Sequence, residues 1–293
     1  MRWRRRSGRN GRTVELLRPS DAAEAVAALG NGNVALAGGT ELVPLLREGL
    51  VRADALVELR RAVPRGIRGT RIGAGTMLAE LESDVEVPAA LREACRLAAS
   101  PQLRAMGTVG GNLLQATRCW YWRLDFPCFL HGGDRCHAKE GQHGEHAIFG
   151  NETCASAHPS DVAAALLALG ATLRTTKREL PLAELYRLPT RDDPRTTTLA
   201  RDELILELEL EQPDASAYVK AMDRQRWSFP IVGVAAARYG DAVRLALAGV
   251  APIPWTVRDA GELEAATTLP GTAYKLPIAR ALVRRALDSV ATR

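Results

Sequence analysis

The chain has 293 residues, 46% of them hydrophobic, which is enough apolar mass for two or three packed lobes. Its formal charge of +5 does not mark a nucleic-acid binder: Met1 to Arg12 carries six arginines and no acid, and the remainder balances 33 basic against 34 acidic residues. The longest apolar runs, such as Ala163 to Ala171, fall short of the ~20 residues of a membrane span, and no apolar segment follows the basic start, so a cytoplasmic protein with an unstructured tail over 1–12 is expected.

A first lobe is expected over 13–62. Ser20 or Asp21 caps a helix with an apolar face of Ala22, Val26 and Leu29 that ends at Gly30. A strand at Val34 to Ala37 then runs into Gly38, Gly39 and Thr40, a short helix around Pro44 to Glu48, and a second strand at Ala55 to Leu59. A second lobe, 63–176, holds a helix in LREACRLAAS, a tight loop in RAMGTVGGNLLQ, and a helix in PSDVAAALLALG that opens at Ser160 or Asp161 and stops at Gly170. An unusual segment, 117–158, interrupts it. Residues 177–201 read as a linker, and 202–293 as a third lobe opening on ELILELELE, which places Leu204, Leu206, Leu208 and Leu210 on one strand face. Strands in IVGVAAARY and AVRLALAGV follow, and a helix over Leu276 to Ala291 repeats Ile278, Leu282, Ala286 and Val290 on one side.

Two glycine pairs carry the first functional signal. Gly38-Gly39 lies between a strand and a helix, where backbone N–H groups can approach an anion closely and Thr40 adds a hydroxyl. TVGGN, Thr108 to Asn112, offers a second such turn. Neither is the G-x-G-x-x-G of a Rossmann site, and either pair alone is most simply a tight turn.

Taken together and in order, VALAGGTELV, TVGGNLLQ, PSDVAAALLALGA, YVKAMDR and LALAGVAPIPW resemble the FAD-binding medium subunit of the xanthine dehydrogenase and carbon monoxide dehydrogenase family of molybdenum hydroxylases, from about Val14 to Leu287. The resemblance implies an α+β fold, with two mixed α/β FAD-binding subdomains of the vanillyl-alcohol-oxidase-like kind followed by an antiparallel sheet packed with helices. It implies that Ala37, Gly38, Gly39, Thr40, Glu41 and Leu42, with Thr108, Val109, Gly110, Gly111 and Asn112, embrace the FAD pyrophosphate and ribityl chain. Asp161 would bond the ribityl hydroxyls and Lys220 would lie near the flavin ring. From the residues alone, Asp161 is equally a helix cap, and a strand lysine such as Lys220 is more often solvated. The implied partners are a molybdopterin-binding large subunit and a small subunit with 2Fe-2S clusters, and the implied electron partner is NAD, a quinone, oxygen or a ferredoxin. FAD supplies the redox chemistry, so no catalytic side chain is expected.

Four of the five cysteines, Cys119, Cys128, Cys136 and Cys154, and all five histidines fall between residues 119 and 158. In a cytosolic protein such clustering favours metal ligation over disulfides. No C-x(2–4)-C knuckle of a structural zinc site is present, and four thiolates on a wrapping loop suit a 4Fe-4S cluster; zinc with mixed ligands, or free thiols, are the alternatives. RCWYW, CFLHGGDRC and the Cys154 preceding HPSD resemble the cluster-binding loop of one branch of the family, the flavin subunit of 4-hydroxybenzoyl-CoA reductase. That resemblance implies the four thiols as ligands, although Cys119 to Cys128 is shorter, and Cys136 to Cys154 longer, than in that reductase. Cys95 reads as a small buried hydrophobe. Two rival functions are a free-standing flavin oxidase and a zinc-stabilised interaction protein.

Overall fold

The computed structural model describes residues 14–224 and 227–291, so the expected basic tail lies outside the described residues. The first lobe alternates β1 (Glu15–Leu17), α1 (Ala22–Ala28), β2 (Val34–Leu36), α2 (Leu42–Glu48) and β3 (Ala55–Glu58). Its strands are parallel in the order β1-β3-β2, an arrangement that requires the crossovers α1 and α2 provide. Asp21 is the cap of α1, accepting from the Glu24 N–H at 2.9 Å, while the Glu24 carboxylate reaches back to Ser20.

The second lobe contains β4 (Ile67–Arg68), β5 (Arg71–Gly73), α3 (Leu78–Ser83), α4 (Ala89–Ala98), α5 (Pro101–Arg104), α6 (Val109–Leu113), α7 (Trp120–Arg123), α8 (His137–Glu140), α9 (Asp161–Ala168), β6 (Thr172–Thr175), β7 (Glu179–Pro181), α10 (Leu182–Leu185) and β8 (Ile205–Glu209). Its five strands form an antiparallel sheet in the order β4-β5-β8-β6-β7. Two expectations are corrected here. The stretch expected as a linker, 177–201, holds β7 and α10, because Leu180, Leu182 and Leu185 are core residues. The strand expected to open the third lobe is β8, which pairs with β5 and β6 inside this second sheet. A register shift between Arg174 and Thr175 also breaks the leucine alternation, so Ile205 is buried in place of Leu206.

The third lobe is an antiparallel sheet, order β12-β11-β10-β9, built from β9 (Ala215–Ala221), β10 (Val232–Tyr239), β11 (Ala242–Ala248) and β12 (Trp255–Val257), and closed by α11 (Lys275–Val290). Both faces of its centre are buried, which is why β10 reads as a continuous apolar run. The face with Val232, Val234, Leu245 and Leu247 packs with Leu282, Val283 and Ala286 of α11. The other face presents the small side chains Ala235, Ala237, Ala246 and Ala248 to a core shared with α9. Alanines there let α9, buried on nearly every side, lie close to the sheet. No helix of the described residues is long and apolar enough to cross a membrane.

Candidate functional site

The two glycine turns meet. Gly38 lies so near the Met106–Gly107 backbone that a Cβ on it would stand 1.9 Å from the Met106 carbonyl oxygen, and a Cβ on Gly111 would stand 3.8 Å from that of Ala37. Glycine at 38 is therefore demanded by a close approach of two chain segments, and at Gly39 by a φ of 72°. Among the described residues the N–H groups of Gly38, Gly39, Thr40 and Glu41 donate to no acceptor. In the second turn the N–H groups of residues 109–112 are engaged: Val109 to the Thr76 carbonyl (2.9 Å), Gly110 to the Ala74 carbonyl (3.0 Å), Asn112 to the Thr108 carbonyl (2.9 Å) and Gly111 to the Thr108 hydroxyl (3.2 Å). Of the two turns expected to offer close-approach amides, the first leaves its run of four unengaged among the described residues and the second engages 109–112 within the protein. Val109 is fully buried and Leu42 opens α2.

Asn112 joins the second turn to the start of α9, its Oδ1 accepting from the Ser160 hydroxyl at 2.5 Å. Ser160 is the cap of that helix, accepting from the Ala163 N–H. Asp161, next to it, is 1% exposed, with Oδ2 2.8 Å from Lys220 Nζ and Oδ1 2.5 Å from the Tyr218 hydroxyl. Lys220 is wholly buried and also donates to the carbonyls of Leu97 and Ser228, so its three ammonium hydrogens are committed. Desolvation pushes the Asp161 carboxyl above the usual range, opposed by Lys220 and Tyr218. Tyr218 reaches Asp161 because β10 carries Gly233 beneath it, where a Cβ would fall 2.0 Å from the Tyr218 hydroxyl oxygen.

Glu41 does not face the turn's amides. Its carboxylate lies between two guanidinium groups of the 117–158 segment, with Arg123 Nη2 at 2.6 Å and Arg118 Nη2 at 2.7 Å, the second an ion pair without directed hydrogen-bond geometry. Two cations thus share this carboxylate, and Glu48 is near enough to act on Arg118 as well. Arg118 also stands over the Phe229 ring, 4.6 Å from its centroid. The two border a cavity of about 330 Å³ whose lining includes Cys119, His146, Pro159 and Gly249. Lys275, at the start of α11, supports this wall by donating to the Glu145 and Gly249 carbonyls, and burial pulls its ammonium down to about 8.

All five cysteines are free thiols, and Cys95 is fully buried in α4. Cys119, Cys128 and Cys136 each occupy the cap position before a short helical turn, α7, the turn Phe129–His131 and α8. The first N–H groups of such turns have no partner within the turn and lie beside the preceding sulfur, which makes no capping hydrogen bond. Backbone donors accordingly favour the thiolate at all four positions, at Cys154 through Ser156. Burial nevertheless pushes the Cys119 thiol up to about 11, and Cys128 in the same direction. Cys136 is drawn down to about 5 because the Cys154 thiol bonds to it, which raises Cys154 in turn. Cys119 and Cys128 are near enough to Cys136 for its charge to oppose their own ionisation. No three Cys, His, Asp or Glu side chains among the described residues converge on a single-ion centre. A zinc ion needs that convergence, and a four-iron cluster, although its ligand sulfurs stand farther apart, also needs its four thiolates around one centre.

Residues 12–212 match the family described as the FAD binding domain in molybdopterin dehydrogenase. The chain belongs to that family. The aldehyde oxidoreductase FAD-binding subunit PaoB of Escherichia coli K12 is 35% identical over 77% of this chain and 77% of that protein. The carbon monoxide dehydrogenase medium chain of Afipia carboxidovorans OM5 is 39% identical over 32% of this chain and 37% of its own length. In three dimensions a chain of the reconstituted CO dehydrogenase from Oligotropha carboxidovorans superposes with a TM-score of 0.68 at 22% identity, over 95% of this chain and 97% of that one. As a FAD-binding subunit of an oxidoreductase, the chain shows both glycine segments side by side. Arg118, Arg123 and Tyr218 escaped the sequence reading, which notes His146 only as one of the five clustered histidines. Only Tyr218 had a local signal, the strand glycine Gly233 that marks a close approach.

Proposed function

We propose that this chain is the electron relay of a multi-subunit molybdenum hydroxylase. FAD lies across the joined turns and exchanges electrons with the 2Fe-2S clusters of a small partner subunit, which a molybdopterin-binding large subunit feeds, and with NAD, a quinone, oxygen or a ferredoxin outside. The observation that carries this reading is the run of four amides at 38–41 that have no acceptor among the described residues, in a corner bordered by Arg118 and Arg123. Such a run suits a diphosphate. Thr40 adds a donor, and the cavity bordered by Arg118 and Phe229 offers Trp120, Pro159, Pro230 and Ile231 as apolar wall for a flavin ring. FAD supplies the redox chemistry when bound; the chain binds and orients it. Asp161 and Lys220 act behind this surface, holding the start of α9 and, through Ser160 and Asn112, the second turn.

The insertion extends the relay with a 4Fe-4S cluster held by Cys119, Cys128, Cys136 and Cys154. The backbone donors beside these sulfurs, and the likeness of the loop to that of the 4-hydroxybenzoyl-CoA reductase flavin subunit, support this. The relative named as an aldehyde oxidoreductase subunit supports an aldehyde as the substrate of the large partner. Anaerobic purification followed by visible spectroscopy and metal analysis tests both parts. Flavin bands with a broad brown shoulder, and iron with sulfide that disappear in Cys128→Ala and persist in Cys95→Ala, are expected. Zinc in place of iron overturns the cluster; protein without flavin overturns the relay. The isolated chain should not reduce its own FAD with an aldehyde, and repeated turnover with one would make it a free-standing oxidase.

A further inference from the structure

One buried side chain of the cavity wall has no part in the reading above. His146 is 2% exposed, and its ring stands edge-on to Trp120 with 4.8 Å between centroids. Its Nε2 is 3.2 Å from Cys119 Sγ, and its Nδ1 is buried without a hydrogen-bond partner among the described residues. Cys119 lines the cavity together with His146, Arg118 and Phe229, and the other three insertion cysteines do not. Cys119 is thus the sulfur on the flavin side. A neutral imidazole carries its proton on one of two nitrogens. A cluster-bound Cys119 is a thiolate with no proton to give, so the hydrogen bond at 3.2 Å requires the proton on Nε2. Hydrogen bonds to the sulfurs of an iron-sulfur cluster stabilise its more negative, reduced form.

We propose that His146 is the positioning residue that fixes Cys119 as the flavin-facing ligand of the cluster and, by donating Nε2–H to its thiolate, raises the cluster's reduction potential. This rests on the flavin-and-cluster reading. No bond forms or breaks at His146. A single electron moves between flavin and cluster, and the imidazole stabilises the charge that arrives.

Redox titration of the full-length chain, purified anaerobically with FAD and iron bound, separates the outcomes. His146→Leu removes the donor. His146→Gln puts an amide N–H near the position of Nε2, whereas His146→Asn puts it near that of Nδ1, too short to reach Cys119. The Gln variant should keep the wild-type cluster potential. The Leu and Asn variants should keep their iron and FAD but fall in potential by about 59 mV, a tenfold shift in the one-electron equilibrium between flavin and cluster. Equal potentials in all variants overturn the proposal, and so do equal shifts in Gln and Asn, which would mark lost ring packing. If the Leu variant does not fold, the Gln and Asn pair decides. Protein devoid of iron sinks the cluster reading and this proposal together; iron-loaded protein with unmoved potentials sinks this proposal alone.

Discussion

Gly38-Gly39 and Gly110-Gly111 look alike along the chain and use their backbone in opposite ways. At the first, glycine lets the chain press against Met106 and leaves the amides of 38–41 without an acceptor among the described residues. At the second, the amides of 109–112 are bonded within the protein, and a Cβ on Gly110 would lie 3.1 Å from Ala74. On the proposed reading the first turn is a binding surface and the second a strut that backs it. A glycine pair reports a close approach, and only the hydrogen-bond inventory tells whether the approaching group is a ligand or the protein itself.

The strut has the larger energetic stake. Asp161→Ala leaves the Lys220 ammonium buried among carbonyls, so urea denaturation should show a loss of about 3–5 kcal/mol, with part recovered by adding Lys220→Met. A loss below about 1 kcal/mol would show that this pair does not anchor α9. Gly38→Ala comes next, because the overlap is with backbone and no rotamer relieves it. A cost of about 1–3 kcal/mol is expected together with loss of FAD absorbance, and full flavin occupancy would break the assignment of the first turn as the binding surface. Thr108→Ala should be mildest, at about 1 kcal/mol for a lost helix cap. Flavin affinity should then stay near wild type by fluorescence titration; a tenfold weakening with unchanged stability would make the second turn a ligand contact and erase the contrast.

How much of this was legible follows from range. The strand–turn–helix unit around Gly38, the caps at Asp21 and Ser160 and the closing helix are set by neighbouring residues, and all are found. β8 was assigned to the wrong lobe because ELILELELE specifies a half-buried strand but not its neighbours; Leu173 and Ile72 opposite Leu208 decide that, and they lie far off in sequence. Lys220 reads as a surface residue because nothing beside it announces Asp161, 59 residues earlier. The same holds for Glu41, whose partners lie in a segment legible only by its cysteines.

The grip of Arg118 and Arg123 on Glu41 also orders the assembly of the protein. Arg123 is 82 residues beyond Glu41, so during synthesis the corner proposed to hold the nucleotide keeps an exposed carboxylate until the cysteine segment has emerged and folded back. On the proposed reading, cofactor capture is thereby postponed until the chain has been made to about residue 158 of 293. A first lobe released early would have no grip on a dinucleotide, and loading of the flavin would wait on the same loop that gathers the thiols.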